Sequence, residues 1–253
     1  MRDLSWFRMN RFRKLIMKTD LAAEESMNVI EAISSRRSIR AFRPDPIPRK
    51  IIQAILQNAI LAPSWANTQP WEFVIVGGQE LDELKQALTH HSKEIPNPDI
   101  IRPAEFPEPY DIRRSELVAK ILEMKGIKRE DGEKREWWNI QMARFFEAPN
   151  AILICMDKSI YSIDGNVNVW SLFSCGLVAT NITLLGVDVG LGTCIEYVPV
   201  LYPDVIRQVL AIPSSKLIVV AIAIGYPNRD DQVNHFRSQR EPLTNITRWC
   251  GVD

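Results

Sequence analysis

The stretch APSWANTQPWEFVIVGG, residues 62–78, sets how the chain is to be read. Its second half, Trp71 to Val76, is dense in aromatic and β-branched residues and closes at Gly77-Gly78, which predicts a strand. Its first half sets hydroxyls, amides and indoles between Pro63 and Pro70, which predicts a stiff turn. Upstream, Pro48 suits a first helical turn, and Ile51, Ile52, Ile55, Leu56 and Ala59 share one face until Pro63 stops the helix. Met27, Ile30 and Ile33 repeat at helical spacing before Ser34-Ser35, and Leu81, Leu84 and Leu88 mark a helix downstream.

The pattern continues toward the C-terminus. Pro96, Pro98, Pro103, Pro107 and Pro109 exclude a helix or inner strand over 92–110, so this segment reads as a surface excursion, the start of a variable insertion at about 92–135. Helical stretches follow over 112–124 and 133–146, the second bringing Trp137, Trp138, Phe145 and Phe146 to a core or a subunit interface. Ala151–Met156 is a short buried strand, and Val167–Val187 a helix buried on most sides, too polar at Ser171, Ser174, Thr180 and Asn181 for a membrane span. Gly190-Leu191-Gly192 turns the chain into TCIEYV, a helix follows at 202–210, and Lys216–Gly225 is the most strand-like run. Strands alternating with several helices predict an α+β or α/β fold.

With 253 residues, the chain is long enough for one embellished domain or two. Hydrophobic residues at 46% and charged residues at 25% exclude a disordered, collagen-like or coiled-coil chain. Lys+Arg and Asp+Glu both count 31, so no net field draws the molecule to nucleic acid or anionic lipid. The charge is uneven, however: residues 1–50 carry twelve Lys/Arg against six Asp/Glu. Residues 1–20 suit a basic amphipathic helix, either an arm packed on protein or a surface-docking device, and 1–26 reads as an arm before a domain at 27–253. Cys155, Cys175, Cys194 and Cys250 form no C-x-x-C pair, so neither a zinc ribbon nor a dithiol redox site is encoded. Buried thiols and the lack of an apolar run near the roughly 18 residues of a bilayer span make a cytoplasmic setting the expectation.

Common catalytic motifs are missing. The chain has no G-x-x-x-x-G-K-[ST], no G-x-G-x-x-G after a strand and no G-x-S-x-G elbow. Its three histidines include the adjacent His90 and His91, which point apart on a helix and do not chelate one metal. What remains is the run Arg36, Arg37, Ser38 and Arg40, with Arg43 beyond. A solvated helix end is the plain reading of such a run. Guanidiniums around a hydroxyl, directly after a helix, also offer a phosphate several charge-assisted bonds. The second feature is the 63–71 turn, whose amides can read the edge of a heteroaromatic ring.

SRRSIRAF (35–42) and APSWANTQPWEFVIV (62–76), in this order, resemble the FMN-dependent nitroreductase family. GLVATNITLLGVDVGLGTCIEY (176–197) looks like its buried central helix and the glycine turn leading to the flavin. KLIVVAIAIGYP (216–227) looks like its late core strand, and REPLTNITRW (240–249) like its C-terminal Arg-x-Pro-Leu segment. The resemblance covers about residues 27–250.

It implies an α+β fold, a mixed sheet flanked by helices, in an intertwined homodimer with FMN held non-covalently at the interface. Arg36, Arg37, Ser38 and Arg40 would grip the ribityl phosphate, and Arg240 would close on it from the C-terminal side; Arg237 is recommended by proximity alone. Pro63, Ser64, Trp65 and Asn67 would reach the isoalloxazine of the partner's site, with Gln69 supporting the loop. Trp65 departs from the small residue often found there. Cys194, Ile195 and Glu196 match the stretch whose backbone lies along the flavin, with Gly190 and Gly192 permitting the turn.

The flavin then carries the redox chemistry and no side chain need be a nucleophile. The implied reaction is ping-pong: NADH or NADPH reduces the flavin, then an electron-poor nitroaromatic or quinone enters the same space. Substrate choice would lie in the 92–135 region. Dehalogenation, flavin fragmentation, dehydrogenation and flavin binding without turnover stay open within the same fold.

Overall fold

The computed structural model describes residues 27–163 and 165–252. The arm expected before residue 27 lies outside them. The chain opens with α1 (Val29–Ser35), started by a capping box in which Asn28 Oδ1 accepts from Glu31 N–H at 3.0 Å and Glu31 Oε2 accepts from Asn28 N–H at 2.9 Å. After α2 (Arg49–Ala59) come β1 (Glu72–Gly77), α3 (Gly78–His91), α4 (Tyr110–Met124), α5 (Gly132–Ala143) and β2 (Asn150–Asp157). A short helix α6 (Lys158–Tyr161) and a two-residue ribbon of β3 (Ser162–Ile163) and β4 (Asn166–Val167) lead into α7 (Val169–Asp188). The chain continues with β5 (Gly192–Glu196), α8 (Pro203–Leu210), β6 (Lys216–Gly225) and α9 (Leu243–Ile246).

The α+β expectation holds. Four strands form one sheet in the order β1-β2-β6-β5, every pair antiparallel, and an isolated parallel bridge, Ser38–Thr193, lies at the β5 edge. Each face carries a core. Ala151, Leu153 and Cys155 of β2 pack with Leu81, Leu84 and Leu88 of α3, Trp138 of α5 and Ile206 of α8. The alternate residues Ile152, Ile154 and Met156 pack with Ile51, Ile52 and Ile55 of α2 and Cys175, Val178 and Ile182 of α7. Each fully buried Leu or Ile contributes about 1.5–3 kcal/mol of transfer free energy.

On β6 the alternation slips. Ile154 faces Val220 but Cys155 faces Ile218, so Val219 is an extra residue, and Ile218 joins Ala221 and Ala223 on the α3 face. By length and composition alone α7 is able to cross a membrane. Its Ser171, Ser174, Cys175, Val178, Ala179, Ile182, Thr183 and Gly186 follow helical spacing and lie buried against the protein.

The helix expected over 133–146 stops at Ala143. Phe145, Phe146 and Glu147 take φ of 55°, 52° and 57°, a left-handed run that buries both phenylalanines before the chain enters β2. The proline-rich excursion over 92–109 contains no helix or strand but is pinned along its first half. Tyr202 Oη donates to Ser92 O at 3.0 Å, and Asn97 N–H to Leu201 O at 3.1 Å. Asp99 Oδ2 accepts from Arg207 Nη2 at 2.5 Å and from the Ile218 N–H at 2.7 Å.

Candidate functional site

The site is built where α7 turns into β5. Gly190 sits at φ 77°, a conformation that favours glycine. Gly192 answers a different need, because a Cβ there would stand 2.6 Å from Ile39 Cγ1. Its absence lets residues 38–40 lie along the free edge of β5, where Ile39 N–H donates to Thr193 O at 2.9 Å. Arg43 N–H then bonds Tyr226 O at 2.8 Å, and Asn228 N–H bonds Ala41 O at 3.0 Å, fixing both ends of the basic run.

Asn234, which the sequence reading did not single out, locks this arrangement. Its buried Oδ1 accepts from Arg40 N–H at 2.8 Å and Ala41 N–H at 3.2 Å, and its Nδ2 donates to Ala41 O and Asn228 O at 2.7 Å each. A lone asparagine in a loop carries no sequence signal for that role.

In an extended run, side chains alternate. Arg37 and Ile39, with Arg36, line a cavity of about 410 Å³ that also takes in Thr183, Arg229 and His235. Burial and the nearby charge of Arg237 lower the pKa of Arg37, and Arg237 itself donates to Ser34 O. Among the described residues no carboxylate forms an ion pair with either guanidinium, the setting in which an anion gains most from them. Ser38 and Arg40 turn the other way, toward Cys194 and Glu196, and burial with the Glu196 charge beside it holds the Cys194 thiol well above its usual range. Burial lifts the Glu196 pKa to about 7, against the opposing pull of the Cys194 contact and the Arg40 charge. Among the described residues, Glu196 Oε1 and the neighbouring Tyr197 Oη are buried without hydrogen-bond partners. Ile195 points outward, half exposed.

The other expected residues are placed as follows. Arg240 folds back on its own segment, donating to Ser238 O at 3.1 Å, Ser238 Oγ at 2.6 Å and Gln239 O at 3.0 Å, and does not line the cavity. Arg237 is the C-terminal arginine set beside Arg37. The 63–69 loop is stiff, with Ala66, Asn67 and Gln69 at φ of 48°, 57° and 45°. Ser64 Oγ accepts from Gln69 N–H at 3.1 Å, Gln69 Nε2 braces Asn67 Oδ1 at 3.2 Å, and Trp65 N–H donates to Ser174 Oγ of α7 at 3.2 Å. Pro63, Trp65 and Asn67 are exposed, and among the described residues no hydrogen bond or ion pair joins this loop to residues 36–40 or 194–196. Among the described residues, no cluster of His, Cys, Asp and Glu is arranged to hold a metal.

The α+β core thus sets an arginine-lined cavity against its edge strand, with buried polar atoms lacking partners among the described residues further along that strand. The model of the nitroreductase family matches residues 33–226, and the chain belongs to that family. It is 30% identical over 220 residues to nitroreductase NfnB of Mycolicibacterium smegmatis, covering 86% of this chain and 90% of that protein. It is 29% identical to a 4-nitrobenzoate reductase of Pseudomonas putida, covering 87% and 95%. Among solved structures, the FMN and NADPH-dependent nitroreductase NfnB from Sphigopyxis sp. strain HMH superposes with a TM-score of 0.83 at 26% identity, covering 89% of this chain and 100% of that one. The FMN-dependent NfnB of Mycobacterium smegmatis in complex with NADPH gives 0.80 at 27% identity, covering 87% and 97%.

Proposed function

We propose that this protein is an FMN-dependent oxidoreductase that passes electrons from NADH or NADPH to a nitroaromatic, quinone or similar electron-poor acceptor. The observation that carries the reading is the basic run 36–40 laid along β5, with Ser38 and Arg40 turned toward Glu196 and with Glu196 Oε1 and Tyr197 Oη buried without partners among the described residues. Buried polar atoms without partners are rare and mark places where a ligand completes the bonding. The donor set fits FMN: cations for its phosphate, and a buried carboxyl and phenol for the hydrogen-bonding edge of its ring.

When bound, FMN supplies the two-electron chemistry, and the chain binds, orients and shields it. Arg36 and Arg37 would hold its phosphate, with Ser38 and Arg40 and the β5 residues Cys194, Ile195 and Glu196 completing the site. Donor and acceptor use the same space in turn, which gives ping-pong kinetics. The activities of the NfnB and nitrobenzoate reductase relatives support this reading.

We further infer a homodimer. Val29, Ile30 and Ile33 of α1, Leu61, Trp65, and Trp170 and Phe173 of α7 are all exposed, more apolar surface than a monomer normally leaves to water. A groove of about 730 Å³ between α2 and β1, lined by Ile52, Leu56, Phe73 and Ile75, is a further apolar surface. Pro63, Ser64, Trp65 and Asn67 then serve the partner's ring site, and Arg240 closes on a phosphate once the interface orders its segment. The free buried thiols of Cys155, Cys175 and Cys194 suit a reducing, cytoplasmic setting.

The purified protein is expected to be yellow, to bleach with NADPH or NADH and to recover colour with a nitroarene. Arg36→Ala and Arg40→Ala should each weaken FMN retention by about tenfold or more, the scale of a lost charge-assisted bond. Unchanged flavin content in both variants would refute the phosphate and ring assignments.

A further inference from the structure

Arg102 lies in the excursion, three residues beyond the Asp99 anchor on Arg207 and Ile218. Its guanidinium carbon stands 5.6 Å from the centroid of the Tyr197 ring. Tyr197 directly follows Glu196, and both carry a buried polar atom with no partner. The other arginines of this region are engaged: Arg113 pairs with Glu241 at 2.8 Å, Arg114 with Asp111 at 2.7 Å and Arg207 with Asp99 at 2.5 Å. Arg102 makes no ion pair or hydrogen bond among the described residues.

A guanidinium over an aromatic face is oriented by the ring and keeps its N–H edge free. That edge matches a planar carboxylate, which takes two parallel N–H bonds. Resting on the functional reading above, we propose that Arg102 selects aromatic acceptors bearing a carboxylate, holding that group above Tyr197 at the end of β5. A phosphate of the nicotinamide donor has related chemistry. Phosphate, however, draws several cations, whereas one stacked guanidinium suits one carboxylate.

The test uses the flavin-loaded protein with Arg102→Gln and Arg102→Lys, 4-nitrobenzoate against nitrobenzene as acceptors, and NADPH against NADH as donors. The Gln variant should lower the preference for 4-nitrobenzoate over nitrobenzene, as a ratio of kcat/KM, by about tenfold or more. The change should lie mainly in KM, and Lys should restore part of it. Benzoate titrated as an inert competitor should lose affinity in parallel. An unaltered ratio, or an effect confined to NADPH relative to NADH, overturns the proposal. A protein without flavin that still binds benzoate through Arg102 would keep the anion site and overturn the reductase reading. A yellow, active protein indifferent to Arg102 would do the reverse.

Discussion

Glu196 shows how one side chain reports on the whole site. A carboxyl in apolar surroundings resists ionising, and burial raises its pKa from 4.5 to about 7. Because the folded-state value lies above the unfolded one, its contribution to stability is fully present below about pH 4.5 and is lost as pH rises through about 7. Glu196→Gln keeps the shape and removes the titration. In flavin-free protein, wild type should therefore lose roughly 3 kcal/mol relative to the Gln variant between those pH values. Denaturant melts across the range check this, and a pH-independent difference would show that the carboxyl is solvated. Two candidate stretches stood out because their residue types are unusual together: a hydroxyl among guanidiniums at 36–40, which the fold lays against β5, and amides between prolines at 63–69, which no hydrogen bond or ion pair among the described residues joins to it. Asn234 was not legible, since its role comes from meeting a backbone 194 residues away. Nor did spacing show that Arg237 rather than Arg240 would stand beside Arg37 in the single chain.

Among the elements, contact between the 38–40 run and β5 depends on missing atoms. Gly192→Ala would force Ile39 to move, a clash of the overpacking kind that costs about 1–3 kcal/mol. A Tm lower by about 2–10 °C is expected, with weaker FMN retention. Pairing it with Ile39→Val should recover part of both, as expected for neighbours that share a gap. A Gly192→Ala protein that melts with wild type would mean that the run is loosely docked. Long periodic elements such as α2 and α7 were readable because burial imposes their spacing. The end of α5 was not: Trp137, Trp138, Phe145 and Phe146 keep helical spacing in sequence, yet the chain leaves the helix to deliver both phenylalanines into the core. The slip at Val219 is equally silent, because a strand buried on both faces reads as one unbroken apolar run.

For the whole molecule, the exposed apolar surfaces of α1 and α7 predict that the flavin site is shared. Dilution that separates subunits should release FMN in step with dissociation, followed by sedimentation and flavin fluorescence together. A monomer that retains its flavin would return the 63–69 loop to a role within its own chain. The antiparallel sheet was legible only as a set of strands, since pairing order is fixed by how helices cover each face and not by any strand's own sequence.

The clasp formed by Asn234 has a temporal side. The guanidinium run is fastened by a stretch made almost two hundred residues after it. On a ribosome the early strands and helices gain their neighbours in order, but this clasp waits until residue 234 has emerged. A product stopped before residue 234 therefore has no clasp, and its guanidinium run is left without the bonds that set the Arg40 and Ala41 backbone.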